Sequence, residues 1–355
     1  MNSIARFPTT MTTELARHDD AMTILGQMAD SYARLNVFDE ADRLIADNTR
    51  RAHLQDLDTF SSFLADAGMP QPPAGDDLRT TPSAWQGVTA GLVKAFREWM
   101  LQRGDAISSI NRRLSTVRKY AKLAAEAGTI DTDTLAKLRL VSGYSGKASK
   151  RIDDNRETTR RSGKRTHDDM VALDEEQRHA LKAQCDADTP QGRRDAVLIC
   201  LLMDHGLRVG EVCGLTVDNV DLAAGKLTFY REKVNLTQTI KLSADALVAV
   251  RAWFDSGDAP ALGPLLRGSR KGGALTAAGM STTAASSRVS ELANRAGLGH
   301  LSAHDLRHTW TTAMVRKFPA KRHIIQEAGG WSSDRMLQRY TKPLTVANES
   351  INISL

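Results

Sequence analysis

The sequence is poor in cysteine and has no long apolar run. Its 355 residues include three cysteines, Cys185, Cys200 and Cys213, an odd number with no close pair, which indicates neither a disulfide framework nor a zinc site. No apolar run approaches the roughly 20 residues of a membrane helix, and the first residues lack the basic start and apolar stretch of a secretion signal. We therefore expect a cytoplasmic protein with reduced thiols and no membrane partner.

The composition is that of a globular protein with a net positive charge. Charged residues make up 25% and hydrophobic residues 41% of the chain, which excludes a wholly disordered protein. The net charge of +6 favours a polyanionic partner, although many proteins that never bind nucleic acid share such a charge. A chain of this length exceeds one compact core of ordinary size, so we expect two domains.

Apolar spacing divides the chain into four parts. Residues 1–35 carry a helical pattern and form an N-terminal extension to which we assign no role. Residues 36–143 predict an all-helical bundle with helices near Asp39–Asp47, Thr49–Ala67, Pro82–Arg103 and Ser108–Ala127. Residues 144–168 read as a flexible basic linker that includes Arg160 and Arg161, and residues 169–355 as a second domain with a C-terminal tail.

The last predicted helix of the bundle combines an apolar stripe with a basic surface. Ile110 and Leu114 begin the stripe, while Arg112, Arg113 and Lys119 lie mostly elsewhere around the helix. A basic face of this kind is usually only solvated, and a DNA-facing helix is the alternative. The helix by itself leaves both interpretations open.

The second domain is predicted to be mostly helical with one small β-hairpin. Residues 225–230 and 234–242 alternate with β-formers on either side of the turn that carries Lys233. Further back, Arg208 and Glu211 stand three residues apart and share a face if helical, so that Glu211 can orient Arg208. A surface ion pair and a solubilising turn lysine are the ordinary interpretations of these two features.

Two later segments place further polar residues beside apolar runs. His304 and Arg307 occupy one helical face, and Leu306 can turn toward the core. Trp331 follows two glycines, and Tyr340 lies near the far end of the helix predicted after it. A core tryptophan and a packed tyrosine are the default interpretation of this pair.

Taken in order, these residues resemble the catalytic signature of the tyrosine recombinases of the phage integrase family. The signature is Arg208, Lys233, His304, Arg307, Trp331 and Tyr340. The surrounding strings match as well, namely Gly-Leu-Arg-Val-Gly-Glu at 206–211, His-Asp-Leu-Arg-His-Thr-Trp at 304–310 and Gly-Trp at 330–331. Position 331 is tryptophan where many members have histidine. The resemblance implies a mainly α fold, with an all-helical core-binding domain and an α+β catalytic domain that contains a small hairpin sheet.

The resemblance also implies a chemistry that suits these side chains. Arg208 and Arg307 would grip the scissile phosphate with planar charged forks, which lysine cannot reproduce. Tyr340 would attack the phosphate and form a 3'-phosphotyrosyl bond, and Lys233 would protonate the 5'-oxygen. His304 would assist proton movement at Tyr340 or donate to the phosphate. Trp331 can donate only through its indole N–H, and Glu211 supports Arg208. The bond conserves the energy of the broken linkage, so we expect no ATP. No carboxylate cluster with metal-ligand spacing accompanies these residues, and the arginines would neutralise the charge that a divalent ion would otherwise oppose, so we expect no metal and no other cofactor.

The resemblance implies that the partner is double-stranded DNA with specific recombination sites. It also implies a homo-tetramer on synapsed DNA, and it leaves open whether accessory DNA-bending proteins are needed. In that context Arg112, Arg113, Lys119, Arg160 and Arg161 become DNA-contact candidates. A type IB-like topoisomerase and a catalytically idle DNA-binding factor are the alternatives. Relaxation of plasmid that lacks a specific site would favour the first, and the absence of a covalent adduct would favour the second.

Overall fold

The structure is a computed structural model that describes residues 18–154 and 171–331 together with Ser333 and Leu337. The chain divides into two compact units, residues 1–164 and 165–355. Tyr340, Arg160 and Arg161 lie outside the described residues. No helix in the described ranges has the length and apolar character needed to cross a membrane.

The described part of the first unit is all helical. Its helices are α1 (His18–Arg43), α2 (Asp47–Asp66), α3 (Gly75–Thr80), α4 (Ala90–Gln102), α5 (Ile107–Glu126), α6 (Thr132–Arg139) and α7 (Gly146–Asp154). The core of this unit is rich in aromatic residues: Phe60 stacks on Trp85 with ring centroids 6.0 Å apart and meets Phe96 edge-on at 5.0 Å. The predicted stripe on α5 is confirmed, since Ile110, Leu114 and Val117 are buried in this core.

Two helical segments differ from the sequence prediction. Helix α1 continues without a break through position 36, where the sequence predicts the start of the bundle. The segment predicted as one helix over Pro82–Arg103 consists of a 3-10 turn at Pro82–Trp85 followed by α4. Between them Gly87 adopts a left-handed backbone (φ 81°), and the side chain of Thr89 caps α4 by accepting a hydrogen bond from the Leu92 backbone N–H.

The start of the predicted linker is ordered. Helix α7 occupies part of it, and Tyr144 and Ile152 pack against the first core. Asn111 holds Tyr144 in place by hydrogen bonds to both its backbone N–H and its carbonyl. The basic composition predicts a tether, but the few apolar residues within it are enough to dock a short helix.

The described part of the second unit is helical with two small antiparallel sheets. Its helices are α8 (Glu175–Lys182), α9 (Pro190–Met203), α10 (Val209–Cys213), α11 (Ala244–Asp255), α12 (Thr282–Arg295), α13 (Ala303–Lys317) and α14 (Arg322–Gly329). Its strands are β1 (Val220–Asp221), β2 (Lys226–Arg231), β3 (Leu236–Lys241), β4 (Arg267–Ser269) and β5 (Leu275–Gly279). Helix α9 is buried along most of its length and forms the centre of the core, against which α11 and α13 pack.

The predicted hairpin around position 233 is confirmed. Strand β2 pairs with β3 from Lys226 opposite Lys241 to Arg231 opposite Leu236, and β1 adds a third strand on the other side of β2. Asn235 closes the turn in a left-handed conformation (φ 49°), which asparagine tolerates better than most residues. The second hairpin, β4 and β5, lacks a strong alternating pattern, and the sequence does not predict it.

Candidate active site

The first arginine motif, residues 206–211, forms a compact turn at the start of α10. Arg208 is the N-cap residue, and its backbone N–H donates to Glu211 Oε2 at 2.8 Å. Its guanidinium Nη1 donates to Glu211 Oε1 at 2.6 Å, so one carboxylate fixes both the backbone and the side chain of Arg208. The predicted pairing of Arg208 with Glu211 is therefore present. The Arg208 side chain is 27% exposed and lines an open cleft of about 760 Å³.

The second motif, residues 304–310, lies on the first turns of α13. Ser302 and Asp305 form a capping box, in which each side chain accepts from the other's backbone N–H, and this fixes where the helix begins. His304 is exposed in the first turn, whereas Arg307 lies one turn further and is 2% exposed. Leu306 is in the core, as the sequence predicts. Arg307 Nη1 donates to the carbonyl of Gly206 in the first motif, which joins the two motifs.

The C-terminal end of α14 is where the arginines of the site meet. Gly330 ends the helix in a left-handed conformation with φ 62°. The last carbonyls of a helix have no partners within the helix and carry partial negative charge, so cationic donors are favoured there. Three arginines donate to them: Arg208 to Gly330 at 3.2 Å, Arg307 to Gly329 at 2.5 Å and Arg231 to Ala328 at 2.8 Å.

Trp331 follows this helix end and is buried against Trp310, with ring centroids 6.2 Å apart. The guanidinium carbon of Arg307 lies 4.7 Å from the centroid of the Trp331 ring. Gly206 lies directly against Trp310, since a Cβ added there would overlap the indole ring. The two tryptophans therefore pack the first motif, the second motif and the end of α14 together.

Arg231 belongs to the site, and sequence reasoning missed it. It ends strand β2, is fully buried, and donates from Nη1 to both oxygens of Glu211 at 2.9 Å. Burial lowers the pKa of its guanidinium, and the negative charge of Glu211 opposes this shift. A signal was available in the sequence: alternation along β2 places position 231 on the same face as Leu227 and Phe229, and a charge on a buried face requires a partner.

The remaining predicted catalytic residues are placed only in part. Lys233 lies in the turn between β2 and β3, two residues after Arg231, and its side chain is outside what the structure describes. Tyr340 is outside the described residues altogether, as are the linker candidates Arg160 and Arg161. The structure therefore brings together the side chains of Arg208, Glu211, Arg307 and Trp331. His304 is exposed in the first turn of α13, three positions before Arg307.

The DNA-contact candidates of the first unit lie on α5 and differ in their surroundings. Arg112 is 46% exposed and binds the buried Asp56 at 2.8 Å, and with Lys119 it lines a groove between α2 and α5 of about 510 Å³. Arg113 is largely buried and pairs with Asp105 at 3.1 Å. Burial lowers the pKa of Lys119 and raises that of Asp56. Arg112 and Lys119 are thus accessible to a ligand, whereas Arg113 holds the bundle together.

No cluster of three histidine, cysteine, aspartate or glutamate side chains with metal-binding geometry occurs within the described ranges. The three cysteines carry free thiols, and burial raises the pKa of Cys185 and Cys200 to about 12. These thiols are therefore poor nucleophiles and poor metal ligands at neutral pH. The chemistry available at the site is that of cationic donors converging on one helix end.

Comparisons with known proteins identify the family. Residues 171–345 match the model of the phage integrase family. The tyrosine recombinase XerC of Xylella fastidiosa strain M23 is 30% identical over 268 residues, which cover 73% of this chain and 81% of that protein. The XerC of Mycobacterium sp. strain JLS is 28% identical over 322 residues, covering 88% of this chain and 94% of that protein.

Solved structures show the same fold. A lambda integrase (residues 75–356) dimer bound to a COC' core site superimposes with a TM-score of 0.58 at 16% identity, over 91% of this chain and 99% of that one. The Tn1549 transposon integrase in complex with transposon right end DNA gives 0.57 at 14% identity, over 86% and 94%. The fold predicted from the resemblance is confirmed. This chain belongs to the phage integrase family and is a site-specific tyrosine recombinase, an enzyme that transfers DNA strands.

Proposed function

We propose that this recombinase cleaves duplex DNA at a specific site by attack of Tyr340 on the scissile phosphate. The Tyr340 Oη gives up its proton, with His304 assisting, and forms a bond to phosphorus. The bond from phosphorus to the 5'-oxygen breaks, and Lys233 gives a proton to that oxygen. The product is a 3'-phosphotyrosyl enzyme and a free 5'-hydroxyl. A 5'-hydroxyl from a second strand then reverses the step, so the energy of the broken linkage is retained and no nucleotide is hydrolysed.

The observation that carries this proposal is the convergence of Arg208 and Arg307 on the helix end that precedes Trp331. Both guanidiniums are permanently charged and are anchored by backbone carbonyls, so they need little reorganisation to oppose negative charge on a phosphate. Tyr340 follows Trp331 by nine positions in the chain, and the anchored helix end sets where that segment starts. A tyrosine with a reference pKa near 10 needs such a cationic environment to lose its proton.

We assign the remaining roles from the family resemblance and the positions described above. Lys233 on the hairpin turn is the general acid for the 5'-oxygen, and His304 assists proton movement. Glu211 orients Arg208, and Trp331 packs beneath Arg307. Arg112, Lys119, Arg160 and Arg161 contact DNA phosphates, whereas the burial of Arg113 supports a structural role for that side chain.

The proposal extends to the assembly that performs recombination. The protein acts in the cytoplasm and is associated with the nucleoid when it is bound to DNA. It has a core-binding domain at 36–143, a basic linker at 144–168 that begins with helix α7, and a catalytic domain at 169–355. A lambda integrase tetramer bound to a Holliday junction has this fold, with a TM-score of 0.55 at 16% identity over 89% of this chain, which supports a tetramer on two synapsed duplexes. Residues 345–355 are the candidate for a contact between subunits, and accessory DNA-bending proteins complete the assembly where the site needs them.

A suicide substrate tests the chemistry. A duplex recombination site nicked close to the cleavage position loses its 5'-hydroxyl fragment after cleavage and traps the covalent enzyme. We expect a slower-migrating adduct on a denaturing gel with the wild type and none with Tyr340→Phe, while both proteins bind the duplex equally in a gel shift. The adduct should form in the presence of a chelator and without ATP. An adduct of undiminished yield from Tyr340→Phe would refute the assignment of the nucleophile.

A further inference from the structure

Arg231 is a fully buried cation that the proposed catalytic set does not include. Its side chain lies over the ring of Phe229, with the guanidinium carbon 4.8 Å from the ring centroid. Removing a guanidinium from water is costly unless its donors are matched, so a buried arginine of this kind has a defined set of partners. The identity of those partners shows what the residue does.

The Arg231 guanidinium joins three separate elements. Nε donates to Gln238 Oε1 on β3 at 2.6 Å, and Nη1 donates to both oxygens of Glu211 on α10 at 2.9 Å. Nη2 donates to the Ala328 carbonyl at 2.8 Å, and Nη1 approaches the Gly329 carbonyl at 3.4 Å, both at the end of α14. The planar, rigid fork of an arginine spans these three directions at once, and a lysine ammonium does not.

Glu211 links Arg231 to Arg208, the side chain that is proposed to bind the phosphate. The same carboxylate accepts from Arg208 Nη1 at 2.6 Å and from Arg231, so it lies between two guanidiniums. With Arg231 in place, one carboxylate is shared by two cations, and Arg208 keeps positive charge available for a ligand. Without Arg231, Glu211 would pair with Arg208 alone and would be free to draw its guanidinium away from the open cleft.

We propose that Arg231 is a positioning residue for strand cleavage: it holds Glu211, and through Glu211 it holds Arg208 in the orientation that binds the scissile phosphate. This inference rests on the proposed function, in which Arg208 binds that phosphate. Arg231 itself does not touch DNA, because its side chain is sealed by Glu211, by Phe229 and by the end of α14.

A matched control is available in the same unit. Arg194 on α9 is also buried and also binds a carboxylate, that of Asp195, at 2.7 Å, and it donates to the Arg267 carbonyl at 3.1 Å. It has none of the hydrogen bonds that link Arg231 to Arg208. Arg231→Lys and Arg194→Lys therefore remove comparable buried interactions, and only the first disturbs Glu211.

The test is single-turnover cleavage of the suicide substrate by the full-length protein, with DNA affinity and melting temperature measured alongside. We expect Arg231→Lys to cleave on the order of 10²-fold more slowly, as when one preorganised donor is lost, with unchanged DNA affinity. Arg194→Lys should cleave at the wild-type rate per folded molecule. Adding Glu211→Gln to Arg231→Lys should cost little beyond the larger single effect, because both changes act through one carboxylate.

Modified substrates identify which group Arg231 positions. A methylphosphonate at the scissile position replaces a charged non-bridging oxygen with a methyl group and lessens the need for Arg208, so the defect of Arg231→Lys should shrink as that of Arg208→Lys does. A sulfur in place of the bridging 5'-oxygen is a better leaving group and needs no general acid. This substrate should restore the cleavage rate of Lys233→Ala but not that of Arg231→Lys.

Three results would overturn the inference. They are wild-type cleavage by Arg231→Lys, a loss of cleavage that only follows a loss of folded protein as in Arg194→Lys, and full rescue of Arg231→Lys by the 5'-sulfur substrate. The last result would show that Arg231 positions Lys233 and not Arg208. If Arg208→Lys cleaves normally or Tyr340→Phe still forms the adduct, the proposed function itself fails, and the two failures are thereby distinguished.

Discussion

Single residues in this protein take their roles from their neighbours more than from their type. Arg208, Arg231 and Arg307 all reach the end of α14, yet their exposure differs: the Arg208 side chain is 27% exposed, whereas Arg231 and Arg307 are buried. Their shared surroundings of carbonyls and one carboxylate keep three like charges together, because each guanidinium has an acceptor of its own. The motif strings identify Arg208 and Arg307 without this information. Arg231 has no motif and is recognised only by its partners in the fold.

His205, between Asp204 and the first arginine motif, should make the stability of the catalytic unit depend on pH. Burial lowers its pKa, and its Nε2 accepts a hydrogen bond from the Ser243 backbone N–H at 3.1 Å, which requires that nitrogen to be unprotonated. The unfolded state therefore binds more protons below pH 6.5, and the stability present above that pH is lost as the pH falls. At one pH unit below the pKa of His205 in the unfolded chain, this one group lowers the free energy of unfolding by at most about 1.4 kcal/mol.

Urea melts at pH 7.5 and 5.5 measure this effect. The wild type should lose more stability between the two pH values than His205→Gln, whose amide oxygen can accept the same hydrogen bond without titrating. Other groups such as His53 titrate equally in both proteins, so the difference between them isolates His205. Identical pH dependence in the two proteins would contradict the prediction.

At the level of elements, the end of α14 organises the site. Side chains of the β2 and β3 hairpin supply part of its C-cap, since Gln238 donates to the Glu327 carbonyl at 3.1 Å and Arg231 to that of Ala328. The hairpin that carries Lys233 is thereby joined to the helix that ends just before Trp331. Helix bounds near this point follow from capping chemistry, in which Gly330 supplies the left-handed residue that ends a helix.

Gly330→Ala should slow cleavage by more than its loss of folded protein explains. A side chain in the left-handed conformation costs about 1–2 kcal/mol, and the added Cβ would lie 2.7 Å from Arg231 Cδ. The Arg231 side chain must move, and Glu211 and Arg208 with it. Gly257→Ala is the control, because Gly257 has a similar φ of 75° and open space around the added Cβ. We expect both variants to be destabilised, and single-turnover cleavage to fall only in Gly330→Ala. Equal cleavage by both would disprove the coupling.

At the level of the whole molecule, charge is distributed over both compact units. The net charge of +6 does not by itself locate a DNA surface, and the basic face of α5 is divided between accessible and internal cations. Lys119 lines the groove between α2 and α5, where Thr49 and Ser115 add hydroxyl groups. Such a groove suits a phosphate backbone, which binds cations and hydroxyl donors without regard to base sequence.

Lys119→Gln should weaken DNA binding evenly across sequences and lower its salt dependence. A protein that neutralises one phosphate fewer has a slope of log affinity against log salt that is smaller by about 1. Lys94→Gln on α4 changes the net charge equally but removes an exposed lysine that does not line the groove. Filter binding of specific and unrelated duplexes over a range of salt concentrations should show the reduced slope for Lys119→Gln only. A slope unchanged from the wild type would place the phosphate-binding cations elsewhere.

Local sequence was enough to predict the family, the mainly helical class and the hairpin, and to propose five site residues: Arg208, Glu211, His304, Arg307 and Trp331. These are encoded in short strings, apolar periodicity and turn residues, which act over a few positions. The folded chain was needed to show that Arg231 joins the site, that Arg113 is largely buried and that the start of the basic linker is helical. Those outcomes depend on interactions between distant segments, such as that of Arg231 with Ala328, because burial and charge pairing act through space and leave little trace in local sequence.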